Sequence, residues 1–412
     1  MMKRCFKYSA LTAVMVLALA GSVRADTEET KAEEYLSEYY NIEPFSAEDD
    51  DLAAVNAALT ALGGQALEGD TVDPEAFIAE GIRIAGLEEL ALSYENNANP
   101  DKALDILDRE EVTVENEEYA PYVACALDLG LLDVSGADDG VMEEYLYRCA
   151  EISGMGRHYI GRVSDPEILN RIQTIMNEMV LFDEKTLSDL GKEIVLSGAT
   201  TGYGLKYSEY DAHFLADYTI KYGHSDYRHA VQLVGLLRSE GMDAYIQIEP
   251  KISVYEYMTE WGDPGEPTPT YAVVEAEEGR YLCYAVEYDM ELEFDTTEDR
   301  EAFHQLIEDY AKKYDDRVDG DGNVTARLLA GSWWQPLYSS LTPMENEEFS
   351  ELVDNIIYDS TGAYSIHPFS LPEKSEEIVE KAKEIAPELE VSPVTIYVNP
   401  AFRRYITGED YQ

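Results

Sequence analysis

Asp226-Tyr227-Arg228-His229-Ala230-Val231-Gln232-Leu233-Val234-Gly235-Leu236-Leu237-Arg238-Ser239-Glu240-Gly241-Met242-Asp243-Ala244-Tyr245-Ile246-Gln247-Ile248 decides the fold class of this chain. Asp226 is a helix N-cap residue, because its short carboxylate accepts from free backbone N–H groups of a first turn. Ala230, Leu233, Val234 and Leu237 then recur at i, i+3, i+4 and i+7, the stripe of a helix buried on one side. Gly241 ends that helix by adopting the left-handed conformation a C-terminus favours. Ala244, Ile246 and Ile248 alternate with Tyr245 and Gln247, so the chain turns from helix to strand within three residues.

Further along, Glu249 to Thr270 reads as a loop of 22 residues with four prolines. Loops of that length inside a domain are functional more often than idle. Tyr271 to Ala276 and Tyr281 to Tyr288 read as strands joined by the turn Glu278-Gly279. Upstream, Ser208 to Tyr222 reads as helical, with Tyr210, Phe214 and Tyr218 on one face. Downstream, helices are expected over Thr297 to Lys313 and Ser375 to Ile385, and a last strand over Val394 to Val398. The layout is α+β, with an antiparallel sheet.

This segment resembles the core of the transglutaminase-like, papain-like superfamily. The resemblance rests on Asp226 to Ala230, Leu237-Arg238, Gly241 and Ala244, and covers residues 208 to 290. In that family a Cys opens the helix, a His opens the second strand and an Asp ends the third. Here the matching positions hold Asp226, Tyr271 and Ala285. The resemblance therefore implies the fold without the reaction, a degenerate triad. A rival is a hydrolase or acyl transferase with a displaced catalytic set. For that rival Cys283 is the candidate nucleophile, two residues before Ala285 on the same strand face. His224 and His229 flank the helix start, with His229 read as a surface or capping residue.

From Glu48 to Glu184 the pattern is a set of short helices: Asp51 to Leu62, the capped start Asp73-Pro74-Glu75, Leu87 to Tyr94, Ala103 to Leu107, Tyr119 to Leu131, Met142 to Ile152 and Pro166 to Leu181. Tyr122 to Leu131 resembles the first helix of an S-layer homology repeat, without the acidic stretch that follows there. That likeness implies a structural cell-envelope component as a third reading.

The ends complete the plan. Lys3, Arg4 and Lys7 precede an apolar run from Ala10 to Gly21 and the small residues of Val23-Arg24-Ala25. This is the pattern of a secretory signal peptide cleaved after Ala25. Secretion or a cell-surface location follows. The expected domains are a signal peptide (1–25), an acidic tether (26–47), a helical domain (48–184), the transglutaminase-like domain (185–330) and a C-terminal extension packed on the sheet (331–412).

Composition limits the partners. The net charge is -54, from 84 acidic and 30 basic residues. Nucleic acid is excluded as a main partner because phosphate binding needs a surplus of Lys and Arg. No apolar run is long enough to cross a membrane. Cys125, Cys149 and Cys283 are odd in number. Cys125 and Cys149 lie in one helical region and either pair or stay as buried thiols. There is no CxxC and no Cys/His cluster, so no metal and no cofactor is expected. Asp319-Gly320-Asp321-Gly322-Asn323 echoes a calcium loop, but Arg317 and Leu328 stand where carboxylates are needed, and a solvated turn is the plainer reading. Trp261 in the proline-rich loop and Trp333-Trp334 suit stacking on ligands. Trp261 above Tyr271 is the expected binding place for a peptide or glycan.

Overall fold

The computed structural model describes residues 23–43, 45, 52–95, 99–132, 141–155, 158–310, 337–346 and 348–409. The expected signal-peptide segment up to residue 22, the Asp319–Asn323 loop and Trp333-Trp334 lie outside them. The chain divides into two compact units, Met1–Arg157 and His158–Gln412.

Every α or β element described in the first unit is a helix: α1 (Val23–Tyr40), α2 (Leu52–Ala61), α3 (Pro74–Ile84), α4 (Glu88–Leu92), α5 (Lys102–Arg109), α6 (Ala120–Asp128) and α7 (Val141–Ala150). Asp73 caps α3 as its sequence implies, accepting from the N–H groups of Glu75 and Ala76 at 3.0 and 3.2 Å. Gly81 lets α3 approach α7 closely. A Cβ there would sit 2.3 Å from the ring of Tyr145, whose hydroxyl donates to the Ile78 carbonyl. The expected acidic tether is not a tether over its first half. Its Ala32, Tyr35 and Leu36 are fully buried, and α1 packs on α7. The Glu and Tyr content hid an apolar stripe at helical spacing.

The second unit holds β1 (Gly161–Arg162), α8 (Ile168–Glu178), α9 (Lys185–Ser197), β2 (Gly202–Tyr207), β3 (Thr219–His224), α10 (Tyr227–Glu240), β4 (Ala244–Tyr257), β5 (Tyr271–Glu277), β6 (Arg280–Phe294), α11 (Thr297–Tyr310), β7 (Leu337–Ser340), β8 (Ser350–Tyr358), β9 (Tyr364–Ser370), α12 (Ser375–Ile385), β10 (Glu390–Val398) and α13 (Pro400–Thr407). The α+β class holds. Its sheet runs β1-β4-β2-β9-β8-β10-β7-β3-β6-β5, and β4 also pairs with β6. That extra pairing closes β4, β2, β9, β8, β10, β7, β3 and β6 into an antiparallel barrel, leaving β1 and β5 as appended edges.

Four expectations change. The stretch Ser208 to Tyr222 forms two single 3₁₀ turns, Ser208–Tyr210 and Ala216–Tyr218, followed by β3. Its aromatics fit a helical period, but ladder bonds from β3 to β6 and β7 prevail. The proposed 22-residue loop is strand as far as Tyr257, with Pro250 inside β4. Ala244 and Ile246 turn their carbonyls toward the β1 side, accepting from Val163 and Ile160. Pro250, an even number of residues on, aims its missing N–H the same way. There it falls between the pairing of β1 with residues 245–246 and of β2 with 251–255. Finally, the C-terminal part is no extension packed on the sheet, because β7 to β10 are barrel wall. Helix α8, placed by sequence in the helical domain, packs with α10 through Ile168 and Ile172.

The register shows which side chains point inward, because directly opposed residues share a face. Ser339, Lys221, Glu291 and Gln247 form one row across β7, β3, β6 and β4, and Lys206 faces Lys251 across β2 and β4. The inside of the barrel is thus polar along these strands. The apolar faces point outward under helices. Ile220, Met290, Leu292 and Ile246 pack with α10 and α11, and Tyr203, Leu205, Ile357 and Ile366 with α9 and α12. At one end Phe402 of α13 packs on the inward Leu352, Ile396 and Val398.

If residues 23–40 belong to the folded first unit, Leu36→Ala lowers its stability by about 2–5 kcal/mol in denaturant unfolding, the usual cost of such a core truncation. An unchanged midpoint would return this segment to a tether.

Candidate functional site

Asp226 sits where its sequence places it, at the N-cap of α10. Its carboxylate accepts from the Arg228 N–H at 2.8 Å and pairs with the Arg228 guanidinium. That contact, ahead of an opposing burial effect, holds its pKa below the usual carboxylate range. Tyr271 and Ala285 also meet as expected, directly opposite one another on β5 and β6. The three positions nevertheless do not converge. Ala285 shares its sheet face with Cys283, Glu287 and Asp289, whereas α10 covers the other face. The β6 side chain that reaches the helix start is Tyr288, whose hydroxyl donates to the Asp226 carbonyl at 3.0 Å.

Around that helix start lies a histidine pair that the sequence reading did not join. His224 Nδ1 accepts from the Asp226 N–H at 2.9 Å, and its ring lies 4.2 Å from that of His229. His229 is fully buried against Tyr222, Nε2 to hydroxyl 2.5 Å, and is not a surface residue. Its position follows from α10 rotating its Ala230 face onto the sheet. Burial lowers the pKa of His224 to about 4, and burial followed by the neighbouring His224 lowers that of His229 to about 2. Both rings are neutral near pH 7; His224 accepts from the helix start and His229 bonds the Tyr222 hydroxyl on β3.

Cys283 is fully buried, with the hydroxyls of Tyr255 and Tyr271 and the Glu287 carboxylate beside its thiol. Burial pushes the thiol pKa up. A nucleophilic thiol needs a cation or a helix N-terminus to lower it. Cys125 and Cys149 are both free and buried, their pKa values raised by burial to about 11 and about 12.

Trp261 lies in the 3₁₀ turn Thr259–Trp261, partly exposed. Its ring partners among the described residues are Tyr257, edge-on at 5.4 Å, and Tyr255 at 6.4 Å. It does not stack above Tyr271 as expected. The Tyr257 hydroxyl donates to the Gly262 carbonyl at 3.1 Å and ties the turn to β4. Tyr255, Tyr257, Trp261 and Tyr271 form a half-exposed aromatic patch on β4 and β5 where the two strands flank β6.

Inside the barrel lies a network that hydropathy alone concealed. Lys206 Nζ meets Glu249 Oε2 at 2.7 Å and Asp289 Oδ2 at 2.6 Å. Lys221 Nζ meets Glu249 at 3.0 Å and also Glu291, and Lys251 Nζ meets Asp289 Oδ1 at 2.6 Å. Gly223 leaves room for it, since a Cβ there would lie 3.1 Å from Asp289 Oδ1 and 3.3 Å from Lys251 Nζ. Burial disfavours every one of these charges. For Lys206 the attraction of Asp289 and Glu249 outweighs it and raises the pKa. For Glu249 and Asp289 the lysines outweigh it and hold both carboxylates ionised. Glu291 differs: burial, then the charge of Glu249, raises it to about 8. The alternation Gln247-x-Glu249-x-Lys251 with Asp289-x-Glu291 signals this inward face, but only once barrel closure is known.

Among the described residues no group of three or more His, Cys, Asp or Glu side chains is placed to hold a metal, and no helix is long and apolar enough to cross a membrane.

Two outcomes are expected. Iodoacetamide labels Cys125, Cys149 and Cys283 slowly in the native state and rapidly once unfolded; rapid native labelling of Cys283 near neutral pH would restore it as a nucleophile. The second concerns Glu291, which faces Lys221, Glu249 and Gln247. Its folded pKa lies above the ordinary 4.5, so the native state keeps a proton that the unfolded chain loses. Its contribution therefore falls as pH rises from about 4.5 to about 8. Glu291→Gln, which imitates the protonated form, flattens the decline of the melting temperature across that window; an unchanged slope would mean Glu291 is ionised throughout.

Comparison of the chain with family models, with curated proteins and with solved structures returns no match.

Proposed function

We propose that this protein is an exported, non-catalytic binding protein of transglutaminase-like descent that holds a peptide or glycan at the cell surface. Export rests on the basic start, apolar run and small residues before Ala25. Descent rests on the capped helix, strand and hairpin running from Asp226 to Phe294. The observation that carries the non-catalytic reading is the fate of the triad positions. They hold Asp226, Tyr271 and Ala285, and Asp226 lies on the opposite side of the sheet from the other two. The nearby thiol is buried on the far side of the sheet from the imidazoles, whose basicity burial depresses, so these groups assemble no nucleophile–base pair among the described residues.

Binding is assigned to the aromatic patch of Trp261, Tyr257 and Tyr271. Partly exposed rings on a strand-anchored turn offer flat apolar area at small entropic cost. Glu260, Asp263 and Glu266 are exposed on the same loop and favour a basic peptide over an acidic one.

A glycan and peptide binding screen on the exported chain, followed by Trp261→Ala, tests this reading. The variant should weaken the captured ligand roughly three- to tenfold, as loss of one ring contact does, with little change in melting temperature. A melting temperature several degrees lower with unchanged affinity would leave Trp261 only as the anchor of its turn.

A further inference from the structure

The inward row Gln247–Glu291–Lys221–Ser339 contains three polar groups whose bonding is incomplete. Gln247 is 6% exposed. Its Nε2 donates to the Tyr210 carbonyl at 3.1 Å, which fixes the amide orientation, and its Oε1 has no partner among the described residues. A buried acceptor left unsatisfied keeps its full desolvation penalty, so a donor belongs there. Lys221 has three N–H donors. Two face Glu249 and Glu291. Lys221 lies as deep among protein atoms as Lys206, yet 36% of its side-chain surface stays accessible against 7% for Lys206. A small molecule can therefore reach Lys221. Glu291 Oε1 pairs with Lys221 Nζ, and a carboxylate oxygen can accept from a second donor as well.

We propose that this row is a binding site for a small zwitterion of the amino-acid type. The ammonium group of the ligand donates to Gln247 Oε1 and to the Glu291 carboxylate, and its carboxylate accepts from the free N–H of Lys221. Direct cross-strand pairing of Gln247 with Glu291, and of Glu291 with Lys221, sets the three groups side by side. Neighbouring positions on one face lie about 5 Å apart, a span suited to the two ends of an α-amino acid. Ser339, opposite Lys221, is the smallest side chain of the row. A lone anion at Lys221 would meet the ionised Glu249, and a lone cation would meet Lys206 and Lys221, so a ligand carrying both charges fits where neither alone does. The site lies inside the barrel, apart from the aromatic patch, and stands independently of the function assigned to that patch.

The Glu291 proton gives the site a signature. In the free protein burial and the adjacent Glu249 charge favour a proton on Glu291 against the pull of Lys221 and Lys206, and Asp211, raised by burial and hydrogen-bonded to Glu249, is a second carboxyl of the same cluster. An ammonium group beside it favours the ionised carboxylate, so binding expels that proton into solution.

Titration calorimetry of the full chain with glycine, L-alanine and β-alanine near pH 7, in buffers of different ionisation enthalpy, tests this. Saturable binding of at least one of these with release of about one proton is expected. Methylammonium and acetate, each carrying half of the ligand, should bind more weakly by roughly tenfold or more, as should the zwitterion to Gln247→Leu, Lys221→Met and Glu291→Gln. Trp261→Ala should leave this binding unchanged. The proposal is overturned if none of the three zwitterions binds saturably, if binding releases no proton, or if correctly folded variants bind as tightly as the parent. The proton count is taken on the unaltered protein, so it decides the matter even where a lysine variant fails to fold.

Discussion

The β4–β6 ladder is the constraint on which the second unit depends. It runs through fourteen paired positions, from Ala244 opposite Phe294 to Tyr257 opposite Tyr281. Without it the sheet would be an open ribbon with β4 near one end and β6 near the other. With it the ribbon closes, and each strand acquires an inside and an outside. Closure also removes two edges that would otherwise invite pairing with another chain. Because side chains alternate, the ladder fixes at once that Gln247, Glu249 and Lys251 share a face with Glu287, Asp289 and Glu291, and that Ile246 and Ile248 share the other with Met290 and Leu292.

The charged interior follows from this closure. A buried ion pair gains little over an apolar replacement, because desolvation consumes most of the attraction. Removing one member, however, strands the other at a cost of about 3–5 kcal/mol. The Lys206, Lys221, Lys251, Glu249 and Asp289 set therefore acts less as a source of stability than as a rule for register. A slip of one residue in β3 or β4 would turn lysines into the helix-covered apolar layer and bring Ile220 or Ile248 into the ion network. Stability comes instead from the outer layers, where Leu233, Leu237, Phe294 and Phe303 on one side and Leu190, Ile194 and Ile366 on the other are fully buried.

The two sides of the sheet also hold different chemistry. Outside, the imidazoles at the α10 start are neutral, and helix is fastened to sheet by His229 against Tyr222 and by the Tyr288 hydroxyl on the Asp226 carbonyl. Inside, charge persists because opposite charges stand within 3 Å of each other. A carboxylate at the helix start and a tyrosine–alanine pair on the far side of a sheet cannot act on one substrate atom.

Much of the local structure was legible in the sequence. Asp73 and Asp226 announced their caps, Gly241 its helix end, Ser375 to Ile385 its helix and Glu278-Gly279 its turn, because these signals act over a few residues and depend on backbone chemistry alone. Apolar periodicity likewise placed Leu233 and Leu237 in a core. Tertiary pairing decided what competed with such signals. Thr219 to His224 became a strand because β6 and β7 flank it, and Pro250 stayed within β4 because its missing N–H falls in a gap between neighbouring strands. The tyrosines and glutamates of residues 26–40 looked like a tether until burial of Tyr35 and Leu36 showed a packed helix. The barrel and its ion network could not be read at all from pattern, since alternating charge on a strand normally marks the face turned to water. Only closure, a contact between strands 14 and 15 residues long and separated by a loop and an edge strand, turned that charged face inward.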